Sequence, residues 1–89
     1  MTLRCKLYGI VQGVSLRYNI MLKANELGLK GWVKNNEDGT VSVEVCGDKN
    51  SLSEFKFWLE KSPGFSRIEK IKEEWFKEDR EYKDFKIIY

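Results

Sequence analysis

The chain has 89 residues, of which 42% are hydrophobic and 34% are charged, and its formal net charge is +2. This length suits a single domain over residues 1–89, and this composition is typical of a folded domain rather than a disordered chain. The small net charge gives no reason to expect a nucleic-acid partner, and no apolar run approaches the roughly 18 residues of a membrane span. The first residues form no apolar signal segment, so we expect a cytoplasmic protein without a membrane partner.

The chain has no histidine and only two cysteines, Cys5 and Cys46. The lack of histidine removes the commonest general base near neutral pH and the commonest metal ligand. The two cysteines are far apart in sequence and cannot form a zinc site alone. We therefore expect chemistry that needs no cofactor and no protein-bound metal.

The first half of the chain alternates between strand and helix patterns. Residues 2–9 alternate apolar and polar side chains, which predicts a half-buried strand, and residues 10–15 form a loop. Apolar residues then recur at a spacing of three and four from Leu16, which predicts an amphipathic helix that ends at Gly28. Residues 30–35 and 40–46 are predicted strands, joined by an Asp-Gly hairpin turn over 36–39.

The second half begins at a break over Gly47 and Asp48. Residues 51–54, Ser-Leu-Ser-Glu, form a capping-box pattern that predicts the start of a second helix, which Pro63 and Gly64 end. Residues 67–76 are a predicted strand with Ile71 and Trp75 facing inward. A charged loop over 77–83 leads to a last short strand over 84–89.

This order predicts an α+β, ferredoxin-like sandwich: βαββαβ plus a short final strand, with two helices on one face of an antiparallel sheet. Cys5 shares the parity of Leu3 and is expected to face the helices, whereas Cys46 shares the parity of Glu44 and is expected to face away. Side chains on opposite faces of a sheet cannot bridge, so we predict two free thiols.

The loop between the first strand and the first helix carries the strongest functional signal. Residues 9–17 read Gly-Ile-Val-Gln-Gly-Val-Ser-Leu-Arg. A glycine-containing loop that enters a helix directs several backbone N–H groups at one point, where the helix dipole favours an anion. Arg17 adds a planar set of donors that can bind a phosphate through two bonds. The segment therefore predicts a phosphate cradle.

These residues also resemble a known family. Residues 9–17 resemble the signature of the acylphosphatases, and residues 28–35, Gly-Leu-Lys-Gly-Trp-Val-Lys-Asn, followed by Asp-Gly-Thr-Val over 38–41, resemble its second signature. The two blocks and the order of elements together cover nearly the whole chain. One departure is Leu16, which stands where many members have an aromatic residue.

The resemblance implies hydrolysis of the carboxyl–phosphate anhydride bond of a small acyl phosphate to a carboxylate and inorganic phosphate. It implies in-line attack by water, and we expect the enzyme to be a monomer that uses no metal. Arg17 would bind the phosphate and Asn35 would position the water. The cradle would be formed by the backbone N–H groups of Gln12, Gly13, Val14, Ser15, Leu16 and Arg17.

Two other readings remain open at this stage. The chain could be a catalytically weak, acylphosphatase-like anion-binding module, since Ser15 and Leu16 depart from the usual pattern. It could also be a ferredoxin-like nucleic-acid binder, which would need exposed aromatic residues on a basic sheet face. Tyr8 is a weak version of that platform, but Ser42 and Glu44 stand where further aromatic residues should be.

Overall fold

The computed structural model describes all 89 residues, from Met1 to Tyr89. It contains the predicted elements in the predicted order. They are β1 (Thr2–Ile10), α1 (Leu16–Glu26), β2 (Lys30–Asn35), β3 (Val41–Cys46), α2 (Lys49–Glu60), β4 (Arg67–Phe76) and β5 (Phe85–Ile88). The ferredoxin-like class is confirmed, and neither helix is long and apolar enough to span a bilayer.

The five strands form one sheet in the order β4-β1-β3-β2-β5. β1 runs antiparallel to β3 and β4, and β2 runs antiparallel to β3. β5, however, pairs with β2 in parallel, so the prediction of a purely antiparallel sheet is wrong and the sheet is mixed. The cause is the segment 77–84, which crosses from the end of β4 to the start of β2, where β5 begins alongside that strand.

The topology brings three strand ends to one rim of the sheet. β1 and β2 both pair antiparallel with β3, and are therefore parallel to each other, and β5 runs parallel to β2. The loop after β1, the end of β2 and the end of β5 consequently share this rim. In the register, Val41 of β3 lies between Leu7 of β1 and Asn35 of β2.

The core lies between the sheet and the two helices. α1 contributes three buried side chains at the predicted spacing, Leu16, Ile20 and Ala24. The end of α1 at Gly28 is confirmed: Gly28 has φ +70° and donates to Asn25, while Leu29 donates to the carbonyl of Ala24 at 2.8 Å. This pair of bonds is a Schellman motif, which requires a left-handed residue that glycine adopts without strain.

The predicted capping box at the start of α2 is wrong. The helix begins at Lys49, and its N-cap is Asp48, whose carboxylate accepts from the backbone N–H of Ser51 at 2.9 Å and from its hydroxyl at 3.0 Å. Asp48 lies three residues before Ser51, so it satisfies the free N–H groups one turn earlier. These bonds lower the pKa of Asp48.

The sheet face opposite the helices is covered at one end. Cys46 is buried there, and Glu44 is only 3% exposed, although both were expected to face away from the core. Tyr82, in the segment 77–84, donates to the Glu44 carboxylate and accepts from the indole N–H of Trp32 at 2.9 Å. The crossing segment therefore buries part of the outer face.

Strand parity also bears on the two cysteines and on two side chains of β4. Both cysteines are free thiols, as predicted, and the register places Cys5 opposite Val43 on the helix side of the sheet. Ile71 packs against the core, and Trp75 shares its side of the sheet as predicted but stays 37% exposed. Trp75 lies opposite Leu3 on an edge strand, where the helices do not cover it.

Candidate active site

The loop between β1 and α1 exposes a series of backbone donors. Gly13 has φ +75° and Ser15 has φ +60°, both in the left-handed region. The N–H groups of residues 12–15 make no hydrogen bond within the protein, and the first N–H groups of α1 have no intrahelical partner. Successive N–H groups in such a turn form a concave nest that suits an anion. The free N–H groups and the backbone angles of this loop are those that an anion cradle would need.

Two buried side chains fix this loop at its ends. Val11 and Leu16 are each 2% exposed and belong to the core, whereas Gly13 and Ser15 between them are exposed. A Cβ placed on Gly13 would meet no atom within 4 Å, so its glycine is required by the backbone angle rather than by lack of space. The cradle is therefore an exposed turn on a rigid base.

The side chain of Gln12 ties the cradle to the β2–β3 hairpin. Its amide Nε2 donates to the backbone oxygens of Asn36 at 2.8 Å and Thr40 at 2.9 Å. These bonds span both sides of the turn that follows Asn35. Sequence reasoning assigned Gln12 only a backbone N–H, and no periodicity or composition signal indicates this side-chain role.

Further hydrogen bonds hold the hairpin turn itself. The amide of Asn36 donates to the hydroxyls of Thr40 at 2.9 Å and Ser42 at 2.8 Å. The Asp38 carboxylate accepts from the N–H and hydroxyl of Thr40 and pairs with Lys6 at 3.1 Å. The bonds from Thr40, assisted by Lys6, lower the pKa of Asp38 to about 2. These bonds hold the turn in a fixed conformation next to the end of β2.

Asn35 stands at this end of β2 with an unpartnered polar atom. By strand alternation its side chain shares the helix side of the sheet with buried Val33. Its Oδ1 is buried and accepts no hydrogen bond within the protein. Leaving a buried acceptor unpaired costs about 1–3 kcal/mol, which is tolerated at sites that bind a donor from a substrate or a water molecule.

Arg17 lies at the same rim with its donors free. No carboxylate of the protein pairs with its guanidinium, and its Cζ lies 5.0 Å from the centre of the Tyr89 ring. Ile88 of β5 is level with Lys34 of β2, so Tyr89 and Asn35 are the next residues on two parallel strands. Sequence reasoning missed Tyr89, because its place at this rim depends on the parallel pairing of β5.

The predicted site residues thus gather at one rim, with two qualifications. Arg17 and Asn35 make no hydrogen bond to each other. Neither residue lines any of the five surface cavities, so the site is an open cradle rather than an enclosed pocket. An open cradle has room to contact a small anionic group and leaves the remainder of a ligand in solvent.

Fold and site together describe a small α+β sandwich whose first loop leaves its backbone donors free at a helix N-terminus. The family model of acylphosphatase matches residues 3–87. The acylphosphatase of Pasteurella multocida is 37% identical over 82 residues, which cover 92% of this chain and 91% of that protein. The acylphosphatase of Vibrio vulnificus is 38% identical over 91 residues, covering 99% and 100% of the two chains.

A solved structure gives the same result. The acylphosphatase of Bacillus subtilis superimposes with a TM-score of 0.94 at 32% identity, covering 99% of this chain and 98% of that one. The chain belongs to the acylphosphatase family. The resemblance found in the sequence is confirmed, and the reading as a mere anion-binding module is not favoured.

Proposed function

We propose that this protein hydrolyses acyl phosphates, cleaving the carboxyl–phosphate anhydride to a carboxylate and inorganic phosphate. Membership of the acylphosphatase family supports the reaction. One observation supports the location of the site: free backbone donors beside Arg17 share a rim with the unpartnered Oδ1 of Asn35. Donors for an anion and an acceptor for water are the two requirements of this chemistry.

The cradle binds the phosphoryl group of the substrate. The N–H groups of residues 12–17 donate to its non-bridging oxygens, and the guanidinium of Arg17 donates to two of them from one side. Phosphoryl transfer through a loose transition state depends on position and on stabilisation of spread negative charge. Both come from groups already fixed before the substrate arrives: the loop anchored by Val11 and Leu16, and its bonds from Gln12.

Asn35 positions the attacking water. Its Oδ1 accepts a hydrogen bond from the water, which directs a lone pair of the water oxygen at phosphorus. The new bond forms between that oxygen and phosphorus as the bond from phosphorus to the acyl oxygen breaks, and the electron pair leaves with the carboxylate. Because an amide is a poor base, the water's proton passes to a phosphate oxygen of the substrate.

The leaving group needs no help from a protein acid. A carboxylate is the conjugate base of an acid with a pKa near 4, so it departs without protonation at neutral pH. The Asp38 carboxyl on the hairpin is held ionised by Thr40 and Lys6 and is therefore no proton donor. The chemistry fits a chain that contains no histidine.

Hydrolysis in water enriched in oxygen-18 tests the proposal. We expect benzoyl phosphate to be turned over with EDTA present, with the label in inorganic phosphate and none in benzoate. Inorganic phosphate should inhibit competitively, because it occupies the same cradle. Label in benzoate would mean attack at the carbonyl carbon and would overturn the role given to Asn35.

We propose a monomer that acts in the cytoplasm on small-molecule acyl phosphates, without a nucleic-acid or membrane partner and without a bound metal. The open cradle supports a small substrate whose acyl group lies in solvent, and the net charge of +2 supports the absence of a nucleic-acid partner. Sedimentation of the purified protein at the mass of a dimer would contradict the monomer.

A further inference from the structure

The open part of the outer sheet face carries a group of basic side chains. We call it the cationic face and define it by five residues: Arg4, Lys6, Lys34, Lys70 and Lys72. A cavity of about 340 Å³ lies among them, lined by four of these cations together with Asn36, Ser42, Cys5 and Glu74. The cavity is on the side of the sheet away from the helices and is lined by neither Arg17 nor Asn35.

The strand register places one pair of like charges and one pair of opposite charges on this face, since Arg4 of β1 is opposite Glu74 of β4. Lys6 of β1 is directly opposite Lys72 of β4, and Lys70 is opposite Tyr8. The ammonium groups of Lys6, Lys70 and Lys72 lie 5.6, 5.5 and 5.7 Å from the centre of the Tyr8 ring. Like charges directly opposite across strands are destabilising. The Tyr8 ring and the Asp38 carboxylate, which pairs with Lys6, offset part of this repulsion, and an anion here would reduce it further.

Most of these cations have no acidic partner. Lys6 pairs with Asp38, but no carboxylate pairs with Arg4, Lys34, Lys70 or Lys72. Arg4 and Lys34 instead lie 5.5 and 5.7 Å from the centre of the Trp32 ring. The basic groups are therefore held in place by aromatic rings while their donors stay free.

The lining of the cavity sets the charge of a ligand. Four cations face the carboxylate of Glu74, and Asp38 pairs with Lys6, which leaves a net of two positive charges. Ser42 adds a hydroxyl, and Asn36 adds an amide whose two bonds within the hairpin fix its orientation. The volume is that of a small ligand rather than of a protein segment. Charge and size together match a compact anion with two or more negative charges.

We propose that this cavity is a second anion site, which binds an oligophosphate on the cationic face. Its oxygens accept from Arg4, Lys34 and Lys72, and its charge reduces the repulsion between Lys6 and Lys72. The site lies back to back with the cradle, because Asn36 lines the cavity and its backbone oxygen accepts from Gln12. The two anion sites thus share one hairpin from opposite sides.

Calorimetric titration of the Arg17→Ala variant with tripolyphosphate, in metal-free buffer, isolates this site from the cradle. We expect saturable binding at a ratio of one to one. Adding Lys34→Gln and Lys72→Gln should weaken it by about tenfold or more, because two charge-assisted contacts are lost. Lys49→Gln with Lys61→Gln, at the first residue of α2 and at the residue that follows the helix, removes the same charge elsewhere and should change the affinity far less.

Amide NMR of the same titration locates the ligand. The side-chain amide of Asn36 and the backbone amide of Ser42 should shift, while those of Gly13 and Ser15 should not. Equal loss of affinity in both double variants, or no binding to Arg17→Ala, would overturn the proposal. Tighter binding of a single-stranded oligonucleotide than of tripolyphosphate would overturn it too, because the face would then fit a nucleic acid.

Discussion

The side-chain amide of Gln12 donates to the backbone oxygen of Thr40 at 2.9 Å, and this contact joins the anion loop to the hairpin that carries Asn35. The same nitrogen also donates to Asn36 at 2.8 Å. The two halves of the proposed site lie on separate elements, so their spacing depends on such a link. The relative positions of phosphate and water are therefore set partly by one amide.

Replacing Gln12 with alanine should loosen this link. We expect the free energy of unfolding to fall by about 1–2 kcal/mol, because two hydrogen bonds to part-buried carbonyls are lost. The kcat for benzoyl phosphate should fall more than the stability change explains, since the cradle and Asn35 are no longer held at a fixed distance from each other. Urea unfolding and steady-state kinetics measure the two effects. Asn50→Ala, which removes an exposed amide from α2, is the matched control and should change neither.

Replacing Asn35 with alanine should separate stability from activity. The buried Oδ1 has no partner in the protein, so its removal should leave the free energy of unfolding unchanged or raise it by up to about 1 kcal/mol. The kcat should fall by about 100-fold while KM changes little, because the loss affects the positioned water. A variant that is less stable and has a raised KM would show that Asn35 has a structural role.

Tyr89 should act on the reaction through Arg17. Tyr89 is 95% exposed and so contributes little to the core, yet its ring centre lies 5.0 Å from the Cζ of the guanidinium. We expect Tyr89→Leu to raise the inhibition constant of phosphate by about two- to fivefold, the size of an exposed cation–π contact. Tyr89→Phe should restore it, since the ring rather than the hydroxyl faces the cation. Phe65→Leu, at another exposed aromatic, should have no effect.

Acid should weaken the hairpin through Asp38. Its folded-state pKa of about 2 lies below the usual 3.8, so its contribution to stability is present above pH 4 and is lost as the pH falls from about 4 to 2. The Asp38→Asn variant should therefore be less stable than the parent at pH 6, and the difference should disappear near pH 2. Urea midpoints measured across this range provide the test. A difference that stays constant with pH would contradict the role of the carboxylate.

Local patterns in the sequence predicted most of the fold. Alternation located β1 and β3, and the spacing from Leu16 together with Gly28 located both ends of α1. The start of α2 was misplaced because Asp48 and Ser51 are both good caps, and only the structure shows which one accepts the first bonds. The burial of Glu44 could not be predicted, because it depends on a segment more than 30 residues away that crosses the sheet.

The candidate site likewise combines residues that local patterns predict with residues whose contacts only the structure shows. The cradle and Arg17 lie within one short stretch, where the strand, loop and helix signals are local. Asn35 joins them because two strands run parallel, which the order of elements already implies. The side chain of Gln12 and the ring of Tyr89 could not be found in this way, since their contacts depend on the closure of the hairpin and on the pairing of β5 with β2.

The hydrolysis of benzoyl phosphate by the parent protein and by Arg17→Ala, followed by ultraviolet absorbance with EDTA present, tests the central proposal most directly. We expect rapid turnover by the parent and a loss of about 100-fold or more in the variant, which keeps its fold. Arg80→Ala, at the opposite end of the sheet, should retain the parent rate. Equal rates for the parent and Arg17→Ala would contradict an active site at this cradle.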